Sequence, residues 1–106
     1  MIDTQILLKD IPEDGSKGFA LVGEQYFAVK KMGNIYIYKN ACPHIGVALE
    51  WVEDQFLDSS KSMIQCANHG ALFVIENGEC VAGPCSGKTL TKVNFAIEDG
   101  KIQLIL

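Results

Sequence analysis

Ten glycines, at positions 15, 18, 23, 33, 46, 70, 78, 83, 87 and 100, punctuate this chain of 106 residues. No window between them carries a 3.6-residue apolar period long enough for a substantial helix. The intervening runs are short and apolar or alternating, and they read as strands. Gln5 to Lys9 is a first strand. Tyr26 to Lys31 and Ile35 to Lys39 flank Met32-Gly33-Asn34, a compact hairpin signal. Leu72 to Ile75 leads into Glu76-Asn77-Gly78-Glu79, where Asn-Gly suits a type I′ turn because both central residues tolerate positive φ. Asn94 to Ile97 and Ile102 to Leu106 are separated by Glu98-Asp99-Gly100-Lys101, another tight reversal. Val47 to Val52 has room for one helical turn. The pattern predicts an all-β fold, a small and mostly antiparallel barrel or sandwich, in a single domain over residues 1–106.

Composition narrows the function. Apolar residues make up 48% of the chain, enough for a packed interior. Mass scaling gives a folded surface on the order of 5,800 Å², which predicts one modest core rather than two. Thirteen acidic and nine basic side chains leave a charge of −4, and every basic residue is lysine. An acidic chain without arginine lacks the guanidinium contacts and basic stripe of a nucleic-acid binder. Met1-Ile2-Asp3-Thr4 shows neither the positive nor the apolar segment of a secretion signal. The longest uncharged run, Ser62 to Ile75, contains Gln65, Asn68, His69 and Gly70 and is unsuited to a bilayer. The expectation is a cytoplasmic protein without a membrane segment, where four cysteines serve as ligands or thiols rather than as a disulfide framework.

The ligand-type residues fall in two knuckles. Cys42-Pro43-His44 is followed, after 21 intervening residues, by Cys66-Ala67-Asn68-His69, and these are the only histidines in the chain. Each knuckle has a nearby glycine, Gly46 or Gly70. Two thiolates and two imidazoles form a valid tetrahedral set for zinc. Zinc fingers, however, commonly take both cysteines from one knuckle and both histidines from the other. One of each per loop suits an asymmetric dinuclear cluster, with thiolates on one iron and imidazoles on the other.

In these residues the sequence resembles the Rieske 2Fe–2S proteins. The matching segments are Cys42-Pro-His44-Ile-Gly46-Val-Ala-Leu49 and Cys66-Ala-Asn-His69-Gly70-Ala-Leu-Phe73. Asn77-Gly78-Glu79 and Ala82-Gly83-Pro84 also look like the family, whose third loop carries a proline over the cluster. The resemblance spans roughly residues 35–95 and implies a Rieske-type antiparallel β-barrel or sandwich with two cluster-binding loops. It implies one 2Fe–2S cluster, with Cys42 and Cys66 on the inner iron. His44 and His69 would hold the outer iron through Nδ1, leaving Nε2 near solvent. Two ferric ions, two sulfides and two thiolates cancel in charge, so one electron leaves the centre singly negative. Neutral imidazoles make that electron easier to accept than four thiolates would, and accessible imidazole N–H groups allow a proton to accompany it.

The sequence departs from the high-potential relatives of cytochrome bc complexes. Their loop-to-loop disulfide would fall at Val47 and Asn68, and their sulfur-bonding Ser and Tyr hydroxyls at Ala71 and Phe73. None of these four side chains can perform the matching task, which predicts a midpoint around −150 mV, the low end of the Rieske range. The spacer from Ile45 to Gln65 carries Glu50, Glu53, Asp54 and Asp58, read first as a solvated loop and second as an acidic docking face for a basic partner. Cys80 and Cys85 read first as reduced structural thiols and second as a disulfide, with Cys85 close to the cluster. Trp51, Tyr26, Tyr36 and Tyr38 read as packing, and Tyr36 and Tyr38 should share a face of their strand.

Once the ligands are assigned, no histidines remain for the mononuclear iron of a Rieske oxygenase, and no nucleotide-binding glycine motif is present. There is no catalytic site in this reading. It implies a monomeric one-electron carrier. The donor is a flavoprotein or other reductase, and the acceptor is an oxygenase or other oxidoreductase. The alternatives are a small Rieske-like subunit of a larger oxidoreductase, such as assimilatory nitrite reductase, and a structural zinc domain.

Overall fold

The computed structural model describes residues 2–43, 48–49, 54–67 and 70–106. In chain order the strands are β1 (Ile2–Leu7), β2 (Gly15–Leu21), β3 (Glu24–Lys31), β4 (Asn34–Lys39), β5 (Met63–Gln65), β6 (Leu72–Val74), β7 (Cys80–Ala82), β8 (Asn94–Glu98) and β9 (Lys101–Ile105). They form three antiparallel three-stranded sheets, ordered β1-β9-β8, β2-β3-β4 and β5-β6-β7. The only helical element among the described residues is one 3-10 turn, Leu8–Asp10. No helix there is long and apolar enough to cross a membrane.

Strand β3 organises the interior. Tyr26, Phe27, Ala28 and Val29 are consecutive and all buried. Successive side chains on a strand point to opposite faces, so Phe27 and Val29 join one apolar cluster while Tyr26 and Ala28 join another. The first cluster includes Tyr38, Phe56, Ile64, Phe73, Ile75 and all four cysteines. The second gathers Ile6, Ile11, Ile37, Val93, Ile102 and Leu104 under the sheet formed by β1, β9 and β8. The surface of 5693 Å² matches the expectation from mass. The expectation of a single core does not hold, because one sheet buried on both faces serves two.

Three two-residue hairpins carry positive φ at both central positions: Val22-Gly23 (52°, 78°), Met32-Gly33 (52°, 78°) and Asp99-Gly100 (52°, 76°). This is the type I′ signature, whose twist matches that of the flanking strands. The registers close accordingly at Leu21↔Glu24, Lys31↔Asn34 and Glu98↔Lys101. At Asn77-Gly78, however, only Gly78 has positive φ, at 74°. The Gly78 N–H donates to the Val74 carbonyl at 2.8 Å, so the reversal is longer than the expected type I′ turn. Gly78 is also packed closely, since a Cβ there would stand 2.8 Å from the Tyr38 ring and 3.2 Å from Leu90.

The first strand also differs from the expected Gln5–Lys9, starting at Ile2 and stopping at Leu7. Gln5 has φ 62°, and the pairing with β9 is irregular between Asp3 and Leu7. Side chains take over the local hydrogen bonding. Asp3 Oδ1 accepts from the Gln5 N–H at 2.7 Å, and the buried Thr4 hydroxyl donates to the Ile102 carbonyl at 2.8 Å.

Candidate metal centre

The first loop leaves the sheet at the end of β4. Asn40, buried, anchors it on both sides. Its N–H donates to the Gln25 carbonyl at 2.9 Å, and its Oδ1 accepts from the Leu49 N–H at 2.8 Å. The side chain therefore closes the loop from Cys42 to Leu49 at its neck. Leu49, fully buried, turns its carbonyl to the second loop and accepts from the Ala67 N–H at 2.8 Å. The two cysteine loops are thus joined through one backbone bond beside Cys66.

The second loop extends the β5–β6 hairpin. Beyond the Gln65↔Leu72 pair, the Cys66 N–H donates to the Ala71 carbonyl at 2.9 Å, and the Gly70 N–H donates back to the Cys66 carbonyl at 2.8 Å. Gly70 has φ 70°, in the left-handed region where glycine is favoured. Cys42 and Cys66 are 1% and 0% exposed and lie in the same buried cluster. No disulfide involves either. Two buried sulfurs on loops tied to each other are a suitable thiolate donor pair, because a buried thiolate needs a cation.

A third loop covers this region. At Gly83 (φ 100°), an added Cβ would lie 2.8 Å from Ala71 Cα and 3.0 Å from its Cβ, so Gly83-Pro84 packs directly on the end of the second loop. Cys80 and Cys85 flank it, with their Sγ atoms 2.9 Å apart. Burial pushes the Cys85 thiol up to about 12, and the neighbouring Cys80 and Cys42 sulfurs push in the same direction. Below, the Tyr38 hydroxyl donates to the Ile75 carbonyl at 2.6 Å. Its phenol is pushed up to about 12, first by burial and then by Tyr36 and Glu76. It stays neutral and serves packing. Tyr36 packs against the same cluster, so the two share a face as expected.

The chain matches the profile of the Rieske [2Fe-2S] domain over residues 5–101. It belongs to that family. This Rieske chain accordingly carries a Rieske-type 2Fe–2S cluster, and the zinc reading is set aside. Among solved structures it is similar to the ferredoxin of carbazole 1,9a-dioxygenase from Nocardioides aromaticivorans IC177, at 17% identity and a TM-score of 0.77, over 97% of this chain and 94% of that one. It is also similar to the terminal oxygenase of carbazole 1,9a-dioxygenase from Novosphingobium sp. KA1, at 25% identity and a TM-score of 0.79, covering 95% of this chain but 28% of the oxygenase. A ferredoxin in a complex of reduced oxygenase and oxidized ferredoxin matches at 17% identity and a TM-score of 0.75, over 93% of this chain and 96% of that one. The search of curated proteins finds no significant match.

Of the four expected ligands, the structure brings Cys42 and Cys66 of this Rieske chain together. His44 and His69 lie outside the described residues, as do Gly46, Val47, Glu50, Trp51, Glu53 and Asn68, and with them the helical turn expected over 47–52. Two of the spacer's acids have duties within the chain. Asp54 accepts from the Gly18 N–H at 2.8 Å and pairs with Lys17 at 3.8 Å, while its carbonyl accepts from the Ser16 hydroxyl at 2.6 Å. Desolvation raises the Asp58 carboxyl, but bonds from the Met63 N–H, the Ser60 hydroxyl and the Ser62 and Lys61 N–H groups outweigh it and hold the group below its usual value. Both pin the spacer to the fold, which favours the structural reading over the docking one. Sequence reasoning missed Asn40; the one available signal was an amide side chain two residues before the first ligand-type cysteine.

Proposed function

We propose that this Rieske chain is a one-electron carrier in an oxygenase system, with Cys42 and Cys66 holding one iron and His44 and His69 the other. The carrying observation is the burial of Cys42 and Cys66 in one side-chain cluster, on two loops joined by the Ala67–Leu49 bond. When bound, the cluster supplies a site that gains and loses a single electron at nearly fixed geometry. The chain's own part is to hold the loops rigid. Asn40 fixes the first, the Cys66–Ala71 bonds fix the second, and Gly83 lets the third press on Ala71. Rigidity matters because a site that barely moves wastes little energy on reorganisation when its charge changes.

The likeness to the carbazole dioxygenase ferredoxin in fold supports the carrier reading. The donor is then a flavoprotein or other reductase and the acceptor an oxygenase. The carrier works as a cytoplasmic monomer of one domain. Ala71 and Phe73, both fully buried, have no hydroxyl to offer the cluster sulfurs. The midpoint therefore lies toward the low end of the family's range, around −150 mV. Electron paramagnetic resonance of the dithionite-reduced protein, combined with a redox titration, tests both parts. A low-average-g signal with a midpoint below zero is expected. A signal typical of all-thiolate ligation would sink the ligand assignment, and a midpoint above zero would sink the tuning argument.

A further inference from the structure

Two of the four cysteines are left over by the ligand assignment, and they stand next to each other. Cys80 and Cys85 Sγ are 2.9 Å apart, about 0.9 Å more than a disulfide bond. Their backbones are fixed by the turn between them. The Cys80 N–H donates to the Lys88 carbonyl at 2.8 Å, the Lys88 N–H to the Cys85 carbonyl at 2.9 Å, and the Gly87 N–H to the Cys80 carbonyl at 3.3 Å. Both thiols are buried, but the turn above them is not: Gly83, Pro84, Ser86 and Gly87 are all exposed. Cys85 and Cys42 lie in the same buried side-chain cluster.

We propose that Cys80 and Cys85 form a reversible dithiol–disulfide pair that clamps the third loop and adjusts the electron affinity of the adjacent metal centre. The second half rests on the ligand assignment proposed above; the first half does not. In closing, one sulfur attacks a low-molecular-weight disulfide, forming a mixed disulfide and releasing one thiol. The other sulfur then displaces the second thiol. The pair gives up two protons and two electrons, and both leave with the small-molecule thiols. The cluster is not the oxidant, since it accepts one electron at a time. Both sulfurs are buried, so exchange waits for the exposed turn to open and is slow.

Closure has two consequences. It links the two ends of the Val81–Pro84 segment, and so locks Gly83 against Ala71. It also removes the Cys85 thiol proton, for which the Cys80 sulfur at 2.9 Å and the Cys42 sulfur in the same buried cluster are alternative acceptors. The Cys80 thiol is already turned to the Ala82 carbonyl at 3.3 Å, and a metal-bound Cys42 sulfur can only accept. A donor beside a ligand sulfur stabilises the reduced, more negative centre, so the disulfide form should be harder to reduce.

The test uses the cluster-loaded protein equilibrated in reduced or oxidised glutathione, then denatured, alkylated and cut after lysine and glutamate. This isolates Cys80–Lys88, which carries both thiols and neither Cys42 nor Cys66. The expected result is a peptide two hydrogens lighter and unalkylated after oxidised glutathione, restored by dithiothreitol. In Cys80→Ser and Cys85→Ser variants the remaining thiol should instead carry glutathione. Full alkylation of Cys80 and Cys85 in the parent protein at every poise would overturn the pair. The midpoint of the oxidised form should be more negative than that of the reduced form, and should not respond to glutathione in either variant. Equal midpoints in the two forms would overturn the link to Cys42. The ligand assignment is read separately from the resonance signal, so a normal Rieske signal without a disulfide sinks only this proposal.

Discussion

The two sides of the central sheet are built by different means. On one side, β8 and β9 meet in a five-pair register closed by Asp99-Gly100, and β1 lies alongside. β8 and β9 are neighbours in sequence as well as in space, and turn chemistry sets their pairing. On the metal side the strands β5, β6 and β7 are three residues each, too short to hold a sheet on their own. What holds them is a set of ties between distant residues: Asn40 to Leu49, Ala67 to Leu49, Tyr38 to Ile75 and Gly83 on Ala71. The comparison teaches that strand length measures how much of a region's stability comes from local pairing and how much is borrowed from a site.

The largest expected effect comes from removing the metal. Cys66→Ser should abolish cluster loading, seen as loss of the red-brown absorption. Hydrogen exchange should then show β5, β6 and β7 losing protection while the β8–β9 hairpin keeps its own. Equal loss on both sides would break the comparison, making the two clusters one cooperative unit. Next is Gly83→Val. A side chain at φ 100° and 2.8 Å from Ala71 Cα must push the third loop away. The cost should be about 3 kcal/mol by denaturant titration, with faster loss of the cluster.

Asn40→Ala should follow at about 1–3 kcal/mol, because it leaves the buried Leu49 N–H without its acceptor. Its particular signature is accelerated exchange at Leu49, and unchanged exchange there would remove Asn40 from the account of the loop neck. The smallest effect has the opposite sign. Val22 sits at φ 52° and is 74% exposed, a poor place for a β-branched residue. Val22→Asn should stabilise the β2–β3 hairpin by about 0.5 kcal/mol without altering the midpoint. A destabilised variant would show that turn chemistry is not what limits that hairpin.

Legibility in the sequence followed the same division. Tyr26–Lys31, Ile35–Lys39 and the last hairpin were readable because short apolar runs flank a glycine turn there. Strand β2 was not, since Gly15 to Leu21 has no alternating pattern and lies half-buried along most of its length. Nor were β5 and β7, whose three residues are too few to establish a period. At Asn77-Gly78 the sequence favoured a two-residue turn, and the reversal instead closes through the Gly78 N–H on the Val74 carbonyl.

Residue order alone determined the all-β class and the family, because strand-forming runs, turn glycines and the spacing of ligand-type side chains are written locally. Tertiary structure decided the rest. It made one sheet serve two cores, gave Asn40 the neck of the first loop, seated Gly83 on Ala71 and brought Cys80 within 2.9 Å of Cys85. Each of those depends on the distance between segments far apart or across a turn. No local preference encodes such distances; they emerge only when apolar surfaces have closed and buried polar groups must find partners.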